Sequence, residues 1–166
     1  MNISLQVQST SPAPGGATQT VISDYAGCMQ KAEFTTNRFD AAGKLTFTCI
    51  GQGSIDIPEG SSVELIVDGV SMFKGYVFTA EQDQNGEVSY TAYDQLRYLK
   101  ANASYAFENM TLSQIIQQIA ADFGLVCGTL EDTGYVFPCL IKENESCLDI
   151  IFDALAQTIV QTGRVF

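Results

Sequence analysis

The sequence predicts an α+β protein, an antiparallel β-barrel followed by a small helical unit with two helices and a short strand. Three observations carry that expectation. Between residues 21 and 93 apolar and polar residues alternate and tight-turn signals recur, with no helical period between them. From Thr111 onward the period lengthens to that of amphipathic helices, each opened by a capping signal. The 166 residues are 46% apolar and 16% charged, a globular composition in a chain long enough to bury ~70% of its unfolded surface.

Residues 2–7 alternate Ile3, Leu5 and Val7 with polar partners, the period of a half-buried strand. Residues 9–20, STSPAPGGATQT, are rich in Pro, Gly, Ser and Thr and read as a surface loop or flexible arm, able to carry the first strand toward a neighbouring chain. Lys44–Ile50 puts Leu45, Phe47 and Cys49 on one face and Thr46 and Thr48 on the other. Ser62–Val67 and residues 70–80 are joined at Asp68-Gly69, a hairpin dipeptide. Asp83-Gln84-Asn85-Gly86 is a second turn, after which Glu87–Tyr93 returns with Val88, Tyr90 and Ala92 in phase. Short strands linked by close turns imply an antiparallel meander that curls into a barrel or sandwich. Gly75 marks a bulge or bend in the longest strand.

Tyr93, Leu96 and Leu99 then fit one face of a short helical segment that closes the barrel, and residues 102–108 read as a connector. Thr111-Leu112-Ser113-Gln114 has the form of a capping box. Leu112, Ile115, Ile116, Ile119, Ala120 and Phe123 follow at helical spacing, and Gly124 is the stop. Residues 128–135 form a turn and 136–141 a short apolar strand. A second helix starts at Ser146, with Leu148, Ile151, Phe152, Leu155 and Ile159 as its apolar stripe, and ends near Gly163. Arg164-Val165-Phe166 resembles the start of a further strand. The expected organisation is an N-terminal strand and arm at 1–20, a barrel domain at 21–108, and a small, incomplete α/β unit at 109–166.

Composition narrows the chemistry. The formal charge is −11 and there is no histidine. That balance repels nucleic acid and anionic membranes, and it removes the commonest general base and metal ligand. The five cysteines are odd in number, lack a CxxC pair and follow no secretory leader, so they read as reduced thiols of a protein made in a cytosol rather than as a zinc site. No apolar run approaches the ~20 residues of a membrane span. Paired carboxylates at Glu131-Asp132, Glu143/Glu145 and Asp149/Asp153 are the remaining acid–base candidates. Their contexts are a turn, a polar approach to a helix, and a helix first turn, all of which explain them without catalysis. Asp94 and Arg97 form an i, i+3 pair, and Tyr90, Tyr93, Tyr98 and Tyr105 read as packing residues. Gly51-Gln52-Gly53 opens no helix and is discarded as a phosphate loop. No catalytic, cofactor-binding or metal residue is assigned, no cofactor is expected, and the chain reads as a non-enzymatic assembly or binding component.

The run Ala92-Tyr93-Asp94-Gln95-Leu96-Arg97-Tyr98-Leu99-Lys100 resembles the XkdQ/YqbQ family of phage and prophage tail proteins. The likeness extends through Phe107-Glu108-Asn109, Thr111, Ile115 to Phe123, Glu131-Asp132-Thr133-Gly134-Tyr135 and Asp149-Ile150-Ile151, with Ala154, Leu155 and Thr158. Upstream it takes in Gly43-Lys44-Leu45-Thr46-Phe47 and Phe73-Lys74-Gly75-Tyr76-Val77-Phe78. That family is similar to the baseplate hubs of contractile tails, trimers whose chains each give two tube-like barrels. The resemblance implies a structural hub that links tail tube to spike. Its implied partners are copies of itself in a trimer or ring, the tail tube protein, and spike or other baseplate proteins. DNA is expected to pass along an acidic lumen without specific binding. The chain is expected to be made in the bacterial cytoplasm, to assemble into a virion or tail-like particle without a membrane, and to stop before the family's second barrel. The alternatives are a tail-associated murein hydrolase using Glu131 and Asp132, and a non-enzymatic tail adaptor.

Overall fold

The computed structural model describes residues 2–12, 18–37, 42–50, 55–84 and 86–165. Residues 13–17, 51–53, Asn85 and Phe166, which figure in the expectations above, lie outside them. One compact unit extends to Gln95 and a second begins at Leu96. The boundary expected after Glu108 instead falls inside a strand, Asn102–Thr111.

The first unit holds β1 (Ile3–Pro12), β2 (Thr18–Asp24), β3 (Met29–Thr35), β4 (Lys44–Ile50), β5 (Ser62–Val67), β6 (Val70–Gln82) and β7 (Glu87–Tyr93). They form a seven-stranded sheet in the order β2-β1-β5-β6-β7-β4-β3, with every pair antiparallel. Alternation decides what is buried, since successive side chains face opposite sides of a strand. Leu5, Leu45, Phe47, Val63, Phe73, Val77, Tyr90 and Ala92 share one core on the inner face. Phe47 stacks on Tyr90 at 5.1 Å, their strands being paired neighbours.

The sheet is strongly curled. Phe34 of β3 meets Phe73 of β6 edge-on at 5.6 Å, although β4 and β7 lie between their strands. A flat sheet would hold them about 14 Å apart, three spacings of about 4.8 Å. The curl stops short of a barrel, because no ladder joins β2 to β3 among the described residues. The reason is an offset. β2 pairs with the far part of β1, from Gln6 to Pro12, so Ile3 to Leu5 keep no ladder partner on that side. A turn bridges the gap, with Tyr25 N donating to Leu5 O (2.9 Å) and Ile50 N donating to Cys28 O (3.0 Å). Asp24 secures the corner by accepting from Ser4 Oγ (2.7 Å), Leu5 N (3.0 Å) and Ala26 N (2.9 Å).

Two local expectations change. The arm at 9–20 is strand at both of its described ends, with Ser9 opposite Val21 and Pro12 opposite Thr18. Beyond Gln8, β1 has left β5, so Pro12 is needed for pairing on one side only, where its missing N–H is tolerated. Gly75 lies between two bulges, at Leu65/Ile66 and Val77/Thr79, rather than in one. Its requirement is space: a Cβ there would collide with the Tyr93 carbonyl and stand 2.7 Å from the Phe73 ring. The hairpin at Asp68-Gly69 is as expected, with φ of 50° and 81° at its two central residues.

The second unit holds β8 (Asn102–Thr111), α1 (Leu112–Asp122), β9 (Val136–Ser146) and α2 (Cys147–Thr162). β8 and β9 make a two-stranded antiparallel sheet. Residues 102–108 are therefore strand, not connector, with Phe107 buried opposite Leu140. The polar run Lys142 to Ser146, outside the expected strand, is held extended by that pairing: Asn144 N donates to Ser104 Oγ (2.9 Å) and Asn102 Nδ2 to Asn144 O (3.1 Å). Thr111 forms both halves of its capping box with Gln114. Ser146 caps α2 through Asp149 N (3.1 Å), and left-handed Gly163 ends it. α2 is turned from its expected stripe. Cys147, Leu148, Ile150, Ala154 and Thr158 are its buried residues, while Ile151, Phe152 and Leu155 pack at the core margin. Asp149, Asp153, Gln157 and Gln161, at i, i+4 spacing, lie on the exposed side of the helix. Thr158 meets the cost of burial by donating to Ala154 O (2.8 Å).

Candidate functional site

The motif from Ala92 to Lys100 was the strongest pointer in the sequence, and its geometry is architectural. Ala92 is fully buried. The Asp94 carboxylate accepts from Gly43 N (2.8 Å), and Asp94 N donates back to Gly43 O (3.1 Å). A Cβ at Gly43 would stand 2.7 Å from that carboxylate, which would have to shift to admit it. The Asp94–Gly43 clasp thus closes the β4–β7 ladder at its end, where Lys44 faces Tyr93. Gln95–Lys100 follows as a 3₁₀ helix, and its Leu99 belongs to the core of the second unit. The motif spans the division between the units.

The carboxylate pairs do not converge. Asp132 accepts from Gly134 N (2.9 Å), a local turn bond, and the Glu131 backbone carbonyl accepts from Ser113 Oγ (2.9 Å). Glu145 and Asp153 instead come together around Lys142, whose Nζ lies 2.9 Å from one and 2.6 Å from the other. Hydrogen bonds donated to Asp153 and then Glu145 raise the Lys142 pKa against the opposing effect of burial. Asp149 sits apart, in the first turn of α2. Sequence spacing had paired Asp149 with Asp153 and Glu143 with Glu145, whereas the strand-to-helix turn pairs Glu145 with Asp153. The missed partner was Lys142, visible in sequence only as one polar residue ending an apolar strand.

The tyrosines serve packing. Tyr90 is buried and its hydroxyl donates to Ile55 O (3.3 Å), while Tyr105 stacks on Phe107 at 5.1 Å and donates to Asp122 Oδ2 (2.9 Å). Burial is the main reason the Tyr105 hydroxyl is shifted far upward, so it stays a neutral donor. All five cysteines are free thiols, with Cys49 and Cys147 buried and Cys139 exposed. Among the described residues no cluster of His, Cys, Asp and Glu is suited to a metal ion, and no helix is long and apolar enough to cross a membrane.

What the molecule does offer is exposed apolar surface at the unclosed edges of its large sheet. Val21 and Ile22 of β2 are 40% and 65% exposed, and Phe34 of β3 is 37% exposed. A cleft in the same unit is lined by Ile3, Met29, Phe34, Leu65, Val67 and Met72 among others. Unpaired strand edges bearing apolar side chains are a standing invitation to another strand.

Comparison with known proteins agrees with this architecture. The YQBQ-like family model matches residues 32–166. Among curated proteins, the phage-like element PBSX protein XkdQ of Bacillus subtilis is 38% identical over 110 residues, covering 65% of this chain and 34% of its own length. The Bacillus subtilis protein YqbQ is 36% identical over 110 residues, with 65% and 33% covered. The chain thus spans about a third of these relatives. Among solved structures, the 43 kDa tail protein of prophage MuSo2 from Shewanella oneidensis superposes with TM-score 0.67 at 18% identity, over 95% of this chain and 50% of that one. A tail protein from Neisseria meningitidis MC58 gives TM-score 0.64 at 14% identity, over 93% and 46%. At those identities the likeness is one of fold. With the family model matching most of its length, this chain belongs to the YQBQ-like family.

Proposed function

We propose that the chain is a structural baseplate hub component of a contractile phage tail or tail-like injection particle, where it links the tail tube to the spike. The observation that carries this reading is the curled seven-stranded sheet whose edge strands expose Val21, Ile22 and Phe34 and have a ladder on one side only among the described residues, in a chain whose fold is shared with tail proteins. In an assembly, copies of the chain or the adjoining tube protein complete the barrel-like wall that a single chain leaves open. The charge of −11 favours a wall that DNA passes without adhering. Trimers or rings, tube and spike neighbours, cytoplasmic synthesis and incorporation into the particle all belong to this proposal. So do the division into a barrel-like domain and a small inserted unit, and the absence of a catalytic centre.

The test is quantitative mass spectrometry of tail particles purified from the native host, calibrated to the tube protein. A salt-resistant chain at about the low copy number of a symmetric hub ring is the expected result. Its absence from intact particles, or a monomer that binds one tail protein outside the tube, would replace the hub with an adaptor.

A further inference from the structure

Cys28 and Cys49 are brought together by the turn that bridges the open side of the large sheet. Cys28 immediately precedes β3, and the next residue, Met29, has Cys49 of β4 as its Cα partner. Cys28 O accepts from Ile50 N at 3.0 Å, which fixes the two backbones side by side. Both side chains turn to the same core, Cys49 within it at 1% exposure and Cys28 half-buried at its rim. The Cys28 thiol lies near enough to Cys49 to act on its titration, while Cys28 Sγ itself donates to Tyr25 O at 3.2 Å. Cys28 is thus a diagonal neighbour of Cys49, one residue from its direct partner across strands about 4.8 Å apart, which puts the pair toward the upper end of the Cα separation that a disulfide spans, about 4.4–6.8 Å.

We propose that Cys28 and Cys49 form an intramolecular disulfide when the chain meets a low-molecular-weight disulfide, stapling the turn between the two edge strands to β4. The half-exposed Cys28 reacts first. Its thiolate attacks one sulfur of the external disulfide, forming a mixed disulfide and expelling the first external thiolate. Cys49, its proton passed to solvent, then attacks Cys28 Sγ, which closes the internal bond and expels the second thiolate. Two protein thiols are oxidised and one external disulfide is reduced to two thiols. Burial, with the Cys28 thiol beside it, pushes Cys49 up to about 12, so the second step sets the pace. The bond would cross-link the corner between β2 and β3, which turn contacts rather than a ladder hold together among the described residues.

The full chain is incubated with oxidised glutathione at mildly alkaline pH, quenched with acid, alkylated under denaturing conditions and digested with trypsin without reduction. Lys31 and Lys44 separate the two cysteines, so the bond appears as a linked pair of peptides. The expected result is that linked pair, with glutathione retained on Cys139, which is exposed on β9 opposite Glu108. The melting temperature should rise by about 5 °C, fall back on reduction, and not respond in Cys28→Ser. Glutathione persisting on Cys28, or both thiols recovered alkylated, would overturn the proposal. If Cys28→Ser fails to fold, Cys139→Ser gives the same peptide readout with the competing exposed thiol removed.

Discussion

Gly75→Ala tests whether close backbone approach, rather than strand curvature, is what this position demands. The added Cβ would collide with the Tyr93 carbonyl oxygen and lie 2.7 Å from both the Tyr93 carbonyl carbon and the Phe73 ring. Phe73 is 4% exposed and packed in the core, so its ring has little space to yield. The Tyr93 backbone cannot move alone, because its strand is laddered to β6 at Tyr76 and to β4 at Lys44. Overpacking of this kind costs about 1–3 kcal/mol, and an obstacle made of backbone puts it at the upper end. Removing a glycine from the unfolded chain returns about 0.4–1 kcal/mol. The net expectation is a loss of about 2 kcal/mol. With an m-value of about 1–3 kcal/mol per molar urea, the midpoint of the large sheet falls by about 1 M. Urea unfolding followed by tyrosine emission and far-ultraviolet circular dichroism reads it, with the two units fitted as separate transitions. Gly27→Ala is the control, since nothing lies within 4 Å of a Cβ there. A Gly75→Ala protein within about 0.5 kcal/mol of the parent would refute the steric reasoning.

Asp24 is held below its ordinary pKa, first by the Ala26 amide and then by the Ser4 hydroxyl and Leu5 amide. A depressed carboxylate adds stability above its unfolded pKa of about 3.9 and loses it as pH falls through the folded value. The melting-temperature gap between parent and Asp24→Asn should therefore be widest near neutrality and shrink in acid; a gap unchanged down to the acid transition would remove Asp24 from that role. Lys142→Met leaves Glu145 and Asp153 facing each other across a side chain that was 13% exposed. With the two carboxylates 40% and 56% exposed and so screened by solvent, a loss of about 1 kcal/mol at neutral pH is expected, largely restored by adding Glu145→Gln and Asp153→Asn. Because the Lys142 pKa is raised, its contribution is complete below the unfolded value of about 10.4 and is lost only as pH rises through the folded one. Equal destabilisation with and without the two neutralising substitutions would count against the triad. Glu131→Gln with Asp132→Asn should leave cell-wall hydrolysis by purified protein no different from the parent; lytic activity that disappears in this variant would restore the hydrolase reading.

Legibility followed the range of the interactions. β4, β5 and β7 were readable to the residue because alternation is printed in consecutive positions and each strand ends at a turn signal or a change of period. α1 was readable for the same reason, its cap and its stop both lying within one turn of the helix. β8 was not. Ala103, Tyr105 and Phe107 alternate as a strand should, but the partner that makes them one, β9, lies beyond a helix and a loop. The same pairing drew Lys142 and Glu145 into β9 and so built the ion-paired cluster that sequence spacing had divided differently.

The sequence by itself determined the class, the absence of histidine chemistry, the strong negative charge and the motif from Ala92 to Lys100. Each is a property of composition or of residues a few positions apart. Only the tertiary structure decided that Gly75 is a place where no side chain fits, that α2 buries Cys147, Leu148, Ile150, Ala154 and Thr158, and that β2 and β3 form no ladder among the described residues. Those outcomes depend on which atoms arrive from distant segments. Local free energies of the chain are nearly indifferent to them, and packing settles them.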